Sequence, residues 1–267
     1  MSSPSPAHRT VAGVVAAGAV AGATLTAYAL AEARAYTLRR VTVPVLPPGS
    51  PDLRVLHLSD VHLTPGQRRK REWLRGLAGL RPDLVVDTGD NMAHPDAVPA
   101  VLESYGELLA APGVFVFGSN DYYSPTLRNP LKYLLPDDGT RHTDAPELPW
   151  RELRDAFTGA GWADLTNTRT TIEVRGVRIA FAGVDDPHLS YDRLDEIAGP
   201  ADPDADLRLG VAHAPYLRVL DQLAADGYDA VLAGHTHGGQ VCLPGVGALT
   251  TNCDLEPARA KGLHRHP

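Results

Sequence analysis

Two cysteines, Cys242 and Cys253, stand alone in a chain of 267 residues, so no disulfide framework can organise it. They are not spaced C-x-x-C, which also excludes a zinc knuckle. Both are expected to be small, buried or half-buried side chains. Lysine is equally scarce: of 25 basic residues only Lys70, Lys132 and Lys261 are not arginine. Acidic residues number 32, and the net charge of −7 argues against a dedicated nucleic-acid binder, which needs a basic face. No nucleic-acid partner is expected. No internal repeat is evident, and no Ser or Cys sits in a recognisable nucleophile motif. What remains is an ordinary globular composition, 43% hydrophobic and 21% charged, long enough for one large α/β domain with a buried core.

One run does lack charge. Val11 to Ala31 reads VAGVVAAGAVAGATLTAYALA, 21 residues that would span roughly 30 Å as a helix, about the thickness of a bilayer core. A single-pass anchor is the first reading, because the run is long for a secretory h-region. A cleaved signal peptide is the second, with Ala27-Tyr28-Ala29 as its A-x-A site. A buried helix of the following domain is the third, and the lack of polar periodicity speaks against it. Arg9 precedes the run and Arg34, Arg39 and Arg40 follow it, which favours a cytoplasmic domain. The signal-peptide reading gives the opposite side, so the side stays open. The chain divides accordingly into a tail (1–10), an anchor or uncleaved signal (11–33), a linker (34–52) and a main domain (53–267).

Pro-rich Val43–Pro51 cannot be helical and reads as an extended linker or edge strand. Beyond Leu53, short apolar runs alternate with helical stretches. Strands are expected at Arg54–Leu58, Leu84–Asp87, Val114–Phe117, Val177–Ala182, Leu207–Ala212 and Ala230–Ala233. Helices are expected at Lys70–Leu80, Ala97–Leu109, Trp150–Gly159 and Tyr216–Ala225. Tyr122–Leu148 is left as a long loop rich in Pro and Asp, of the length that functional loops have. The alternation predicts an α/β fold with ligands gathered where strands end.

Five of those strands run straight into polar residues. Ser59-Asp60-Val61-His62 follows the first, Thr88-Gly89-Asp90-Asn91 the second and Gly118-Ser119-Asn120-Asp121 the third. His213-Ala214-Pro215 and Gly234-His235-Thr236-His237-Gly238-Gly239-Gln240 follow the last two. In extended backbone, residues two apart point to one side, so Asp60 with His62 and His235 with His237 can each aim two groups at one place. Taken singly, D-x-H is a solvated turn, T-G-D-N and G-S-N-D are β-turns, and His213 is a hydrogen-bonded strand histidine. Two alternating histidines framed by glycines have fewer structural uses. Five such sites in succession, each behind an apolar strand, read together as a metal centre. Oxygen and imidazole donors without thiolate suit Mn, Fe, Zn or Mg.

This constellation resembles the calcineurin-like metallophosphoesterase superfamily, whose order along the chain is D-x-H, G-D, G-N-H-D/E, H and G-H-x-H. The resemblance covers about Arg54 to Gln240, and Gly183 to Pro187 (GVDDP) with G-H-T-H-G-G-Q-V-x-L-P is similar to its membrane-associated bacterial branch. It implies a four-layer α-β-β-α sandwich of two mixed sheets. It implies two divalent ions, one held by Asp60, His62 and His237, the other by Asn120, His213 and His235, with Asp90 bridging. It also implies attack of a metal-bridging hydroxide on a phosphodiester or lipid-linked phosphate. Asp90, Asn120 and Asp121 would be the catalytic residues, and the N-terminal helix would hold the protein at the cell membrane.

Two departures accompany the resemblance. Gly118-Ser119-Asn120-Asp121 replaces G-N-H-D, so a small loop shift must bring Asn120 to the metal, and the histidine that assists the leaving group is missing. Its proton would come from Asp121, His188 or water. Related proteins also continue into further strands, so the second sheet is expected to be incomplete at its C-terminus, with an exposed edge. Asp185 and Asp186 read as rim or turn residues before Pro187, His57 as a packed or hydrogen-bonded side chain, and Tyr122, Tyr123 and Arg128 as substrate contacts.

Overall fold

The computed structural model describes residues 6–126, 139–141, 143–243 and 245–266. Arg128 lies outside the described residues. The chain forms two compact units, Met1–Arg40 and Val41–Pro267. In the first, helix α1 (Pro6–Glu32) is 27 residues long. Its Val15–Glu32 portion has a mean hydropathy of 1.3 and is fully exposed, which does not match a buried core helix. Its length and composition suit a membrane span, and a signal sequence passes the same test.

The second unit opens on the extended, Pro-rich segment, from which Val45 and Leu46 pack against the core. The first sheet has the order β1 (Val55–Leu58), β2 (Leu84–Asp87), β3 (Gly113–Phe115) and β4 (Ala163–Asp164), and is parallel throughout. The second has the order β5 (Thr168–Val174), β6 (Val177–Gly183), β7 (Leu207–Ala212) and β8 (Ala230–Ala233). It is mixed, because β5 and β6 form an antiparallel hairpin while β6, β7 and β8 run parallel. The expected two-sheet α/β sandwich is thus present, with the mixed pairing confined to the second sheet.

Alternation along the strands decides what each face meets. Leu84 and Val86 of β2 share a core with Val114, Ile179, Phe181, Leu209 and Val211, the layer between the sheets. Val85 and Asp87 point the other way, toward the side of α2 (Arg68–Gly76), α3 (Val98–Tyr105) and α5 (Trp150–Gly159). Tyr105, Phe115, Phe157 and Trp162 pack there in an aromatic cluster. Short α6 (Leu194–Ile197) and α7 (Leu217–Ala225) cover the second sheet through Ile197, Val219 and Leu223 against Ala182, Val184 and Ala212. At roughly 1.5–3 kcal/mol per fully buried large apolar side chain, these layers supply the main force holding the strand ends in place.

β8 is an edge strand and all four of its residues are only half-buried. After it, the described chain makes isolated bridges, Gln240 with Thr250 and Leu243 with Gly247, and one 3-10 turn at Pro257–Arg259. Of the two cysteines, Cys253 is half-buried as expected while Cys242 is exposed.

Candidate metal centre

Parallel strands put their C-terminal ends on one side, and the polar residues that follow β1, β2, β3, β7 and β8 therefore meet. Asp60, His62, Asp90 and His237 each offer one ligand atom, and the four atoms lie within 4.8 Å of one another. His62 Nε2 is 3.2 Å from His237 Nε2 and 3.5 Å from Asp90 Oδ2, and His237 Nε2 is 3.3 Å from Asp60 Oδ1.

The pairs converge by a different route from the one expected. Extended alternation would serve if D-x-H and H-x-H continued their strands. Instead Asp60 (φ 53°), His62 (φ 44°), Asp90 (φ 58°), His235 (φ 68°) and His237 (φ 51°) all adopt the left-handed region. Such conformations cost about 1–3 kcal/mol each outside glycine and concentrate at functional sites. Two glycines permit the close approach that follows. A Cβ on Gly234 would collide with Ser59 Oγ and lie 2.6 Å from Asp60 Oδ2. One on Gly118 would lie 2.6 Å from His213 Nδ1 and collide with Asp90 Oδ1.

A second group adjoins the first across Asp90. His213 is fully buried, and its Nδ1 donates to the Thr88 carbonyl at 2.7 Å. That bond leaves Nε2 as the ring nitrogen facing Asp90 Oδ2, at 3.5 Å and without a hydrogen-bond partner among the described residues. His235 Nε2 lies 3.1 Å from the Asn252 carbonyl, which frees Nδ1 on the other side of the ring. From α4 (Ser119–Tyr122), Asn120 donates from its backbone to Asp90 Oδ1 at 2.7 Å and from its carboxamide to Asp90 Oδ2 at 2.8 Å. Asn120 thus reaches Asp90 directly, and Ser119 sits beside it in the cavity wall.

The electrostatics are those of a site built for positive charge. Burial opposes ionisation of Asp90, but His213 outweighs it and holds the carboxyl well below its usual range. Burial likewise opposes charge on His213, and Asp90 outweighs it in turn, raising the imidazole well above its usual range. His235 is lowered to about 4 by burial and by neighbouring His213. A buried carboxylate that is held ionised only by a neighbouring imidazolium, and a ring nitrogen with no hydrogen-bond partner, both fit a cation between them.

Asp121 is not in the cavity wall. It is fully buried, its Oδ2 accepts the amides of Asp90 (2.7 Å) and Gly118 (3.0 Å), and its Oδ1 accepts that of Asn91 (2.8 Å). Asp87, which sequence reasoning took only as the end of a strand, does similar work. It accepts from Gly89 N at 2.9 Å and Asn91 Nδ2 at 3.0 Å, and lies 2.7 Å from the Tyr105 hydroxyl.

The centre opens into a cavity of about 560 Å³ walled in part by Lys70, Tyr123, Arg141, His188 and Gln240. His188 lies 4.5 Å from the His235 ring and its Nδ1 is 3.1 Å from the Tyr216 hydroxyl. Asp185 and Asp186 lie in a turn, where Asp186 N donates to Asp185 Oδ1 and His188 N to Asp186 Oδ1. His57 is hydrogen-bonded as expected, 2.9 Å from Thr88 Oγ1. Sequence reasoning missed Asn252, Thr88 and Arg141. The first two act through main-chain carbonyls, which carry no residue-type signal.

The family model for calcineurin-like phosphoesterases matches residues 53–239. The chain is 30% identical to the uncharacterized protein YpbG of Bacillus subtilis (strain 168), over 86% of this chain and 78% of that one. It is 28% identical to a Bos taurus transmembrane protein with metallophosphoesterase domain, over 83% of this chain but only 48% of that protein. A solved structure, TT1561 of Thermus thermophilus, shares 15% identity over 68% of this chain and 81% of its own, with a TM-score of 0.41. With strand-end histidines and carboxylates gathered at one centre and the family model spanning Leu53 to Gly239, the chain belongs to the calcineurin-like phosphoesterase family.

Proposed function

We propose that the chain is a phosphodiesterase with two divalent ions bridged by Asp90. One observation carries this reading: a single oxygen, Asp90 Oδ2, lies 3.5 Å from His62 Nε2 and 3.5 Å from His213 Nε2. Asp60, His62 and His237 would hold one ion, and Asn120, His213 and His235 the other. His235 would bind through Nδ1, because its Nε2 is engaged by Asn252. Asn120 would turn its carboxamide oxygen inward, a rotation about its last side-chain bond. Such ions supply Lewis acidity, which acidifies water into a nucleophile and neutralises charge on phosphate oxygens.

The protein's own contribution is orientation. The Thr88 carbonyl fixes His213, the Asn252 carbonyl fixes His235, and Asp121 ties the exits of β2 and β3 through three amides. Asp121 is therefore assigned as a positioning residue, in place of the catalytic part expected from its motif. Lys70 and Arg141 place positive charge in the wall, complementary to a phosphodiester anion. Ser119, Tyr123, Ser124 and Thr126 add hydroxyl groups to the wall.

The domain boundaries proposed are a tail (1–10), an anchor (11–33), a linker (34–52) and a catalytic domain (53–267). An apolar helix α1 and a relative named as a transmembrane protein support attachment to a membrane and, with it, a lipid-linked phosphate substrate. One observation favours a second reading, a metal-binding protein with little turnover: α4 offers Ser119 and Asn120 but no histidine. Metal-dependent hydrolysis of an aryl phosphodiester separates the two. Turnover that disappears in Asp90→Asn supports the hydrolase, and two bound ions without turnover support the binding protein.

A further inference from the structure

A second cavity, about 340 Å³, adjoins the metal centre. Tyr123 lines both cavities. Two chain segments also serve both. Asn120 and Tyr122 belong to one, His188 and Tyr191 to the other, and in each the first residue faces the metal cavity and the second faces the new one. A group bound in the second cavity would therefore sit beside whatever occupies the first.

Its walls are aromatic and acidic. Phe117, Tyr122, Trp150 and Tyr191 form one cluster, with ring centroids 5.2–6.0 Å apart. Three carboxylates face two guanidinium groups. Glu147 is paired with Arg151 at 2.7 Å and Asp164 with Arg154 at 2.7 Å. Asp185 is the acid left over. Burial raises its carboxyl above the usual range, and Arg193, itself paired with Glu196 at 2.8 Å, opposes this only through space.

The hydrogen-bond inventory is uneven in the same way. Tyr122 Oη and Asp186 N both donate to Asp185 Oδ1, each at 2.7 Å. Asp185 Oδ2 accepts no hydrogen bond among the described residues. Thr166 also lines the cavity, and its Oγ1, buried behind the surface, lacks a partner among them too. A buried hydroxyl without a partner costs about 1–3 kcal/mol, so it marks a place where a ligand or water completes the inventory.

We infer that this cavity binds an alkylammonium group, with Asp185 Oδ2 and Thr166 Oγ1 accepting its N–H bonds and the aromatic rings facing its charge. The uncompensated carboxylate selects a cation over a neutral sugar, and the ring faces add cation–π attraction. Arg151 already holds its guanidinium 4.3 Å from the Trp150 ring centroid, so this wall accepts positive charge. The amine could arrive as part of the substrate, on the alcohol side of an aminoalkyl phosphodiester, or as a free amine. The first source rests on the phosphodiesterase reading above; the second does not.

Trp150 supplies a readout that needs no turnover. The full chain is titrated with ethylammonium chloride against sodium chloride at equal ionic strength, following tryptophan fluorescence. A saturable change is expected in wild type and none in Trp150→Phe, which keeps Trp73 and Trp162 as reporters. Asp185→Asn and the shape-preserving Thr166→Val should each weaken binding, the former by about tenfold. Absence of a saturable change, or an equal response to glucose, overturns the proposal. Kinetics with 2-aminoethyl and ethyl aryl phosphodiesters then identify the source. Preference for the amino ester, lost in Asp185→Asn, makes the amine part of the substrate. Equal use of both esters alongside saturable ethylammonium binding makes it a free ligand. If neither ester is hydrolysed while ethylammonium still binds, the hydrolase reading fails and the ammonium site stands.

Discussion

His213 faces Asp90 across the junction of the two sheets, its Nε2 3.5 Å from Asp90 Oδ2 while its Nδ1 is fixed by the Thr88 carbonyl at 2.7 Å. Neither ring nitrogen is free to choose its role. The backbone bond sets the tautomer that presents a lone pair to the centre, the arrangement by which histidine ligands are commonly oriented. Replacing His213 with Gln removes that lone pair and leaves the Asp90 charge without its buried partner. Metal affinity should fall by roughly 10–100-fold, as isothermal titration with Mn or Zn would show; unchanged affinity would remove His213 from the site.

Asp121 tests positioning separately from ligation. Its carboxylate accepts three amides from two loops, and an amide side chain can replace only part of that. Asp121→Asn should lose about 2–4 kcal/mol of stability, because buried N–H groups lose acceptors. Metal affinity should fall with it, since the amide of Asp90 is one of the three. Denaturant unfolding in the presence and absence of metal measures both effects. A variant as stable as wild type that has lost only turnover would return Asp121 to a catalytic part.

Gly234→Ala asks whether the close approach of two loops matters. The new methyl would overlap Ser59 Oγ and crowd Asp60 Oδ2, whose oxygens accept the His235 amide. Overpacking of this kind costs roughly 1–3 kcal/mol. The midpoint of thermal unfolding should drop and metal affinity should weaken together. A loss of stability with metal affinity unchanged would show that the loops move without disturbing the centre.

Asp87 gives the metal-free protein a pH signature. Burial raises its carboxyl from 3.8 to about 6, against the opposing hydrogen bonds from Asn91, Tyr105 and Gly89. The folded state thus holds this proton to a higher pH than the unfolded state does. Its stabilising contribution is complete below about pH 4 and declines as pH rises through about 6. Asp87→Asn should flatten that decline, measured by chemical denaturation from pH 4 to 7 in chelator. A decline of the same slope in the variant would assign it to another group.

With no histidine on α4, leaving-group protonation should be weak. Aryl phosphodiesters, whose leaving groups need no proton, should be hydrolysed faster than alkyl ones. Equal rates across leaving groups of widely different basicity would contradict this.

How much of this was legible in the sequence depended on what kind of information each feature carries. β2, β7 and β8 were bounded correctly because Leu84–Asp87, Leu207–Ala212 and Ala230–Ala233 are short apolar runs ended by turn residues. The hairpin strand β5 was missed because Thr168–Val174, TRTTIEV, has a half-exposed face and lacks an apolar run. The one-turn helix α4 hid behind a turn-like G-S-N-D. The residues of the centre were visible as side-chain types, but the left-handed backbone that aims them was not, since D-x-H fits an extended strand equally well. Asn252 and Thr88 were invisible because they contribute carbonyl oxygens.

The bridging of two ions by Asp90 is tested most directly by metal stoichiometry and turnover together, in wild type and Asp90→Asn, with an aryl phosphodiester as substrate. Wild type should bind two divalent ions per chain and hydrolyse the diester only when loaded. Asp90→Asn should lose at least one ion and lower turnover by about 100-fold or more, the loss expected when electrostatic stabilisation of the transition state is removed. An Asp90→Asn protein that keeps two ions and wild-type turnover would contradict the bridging role.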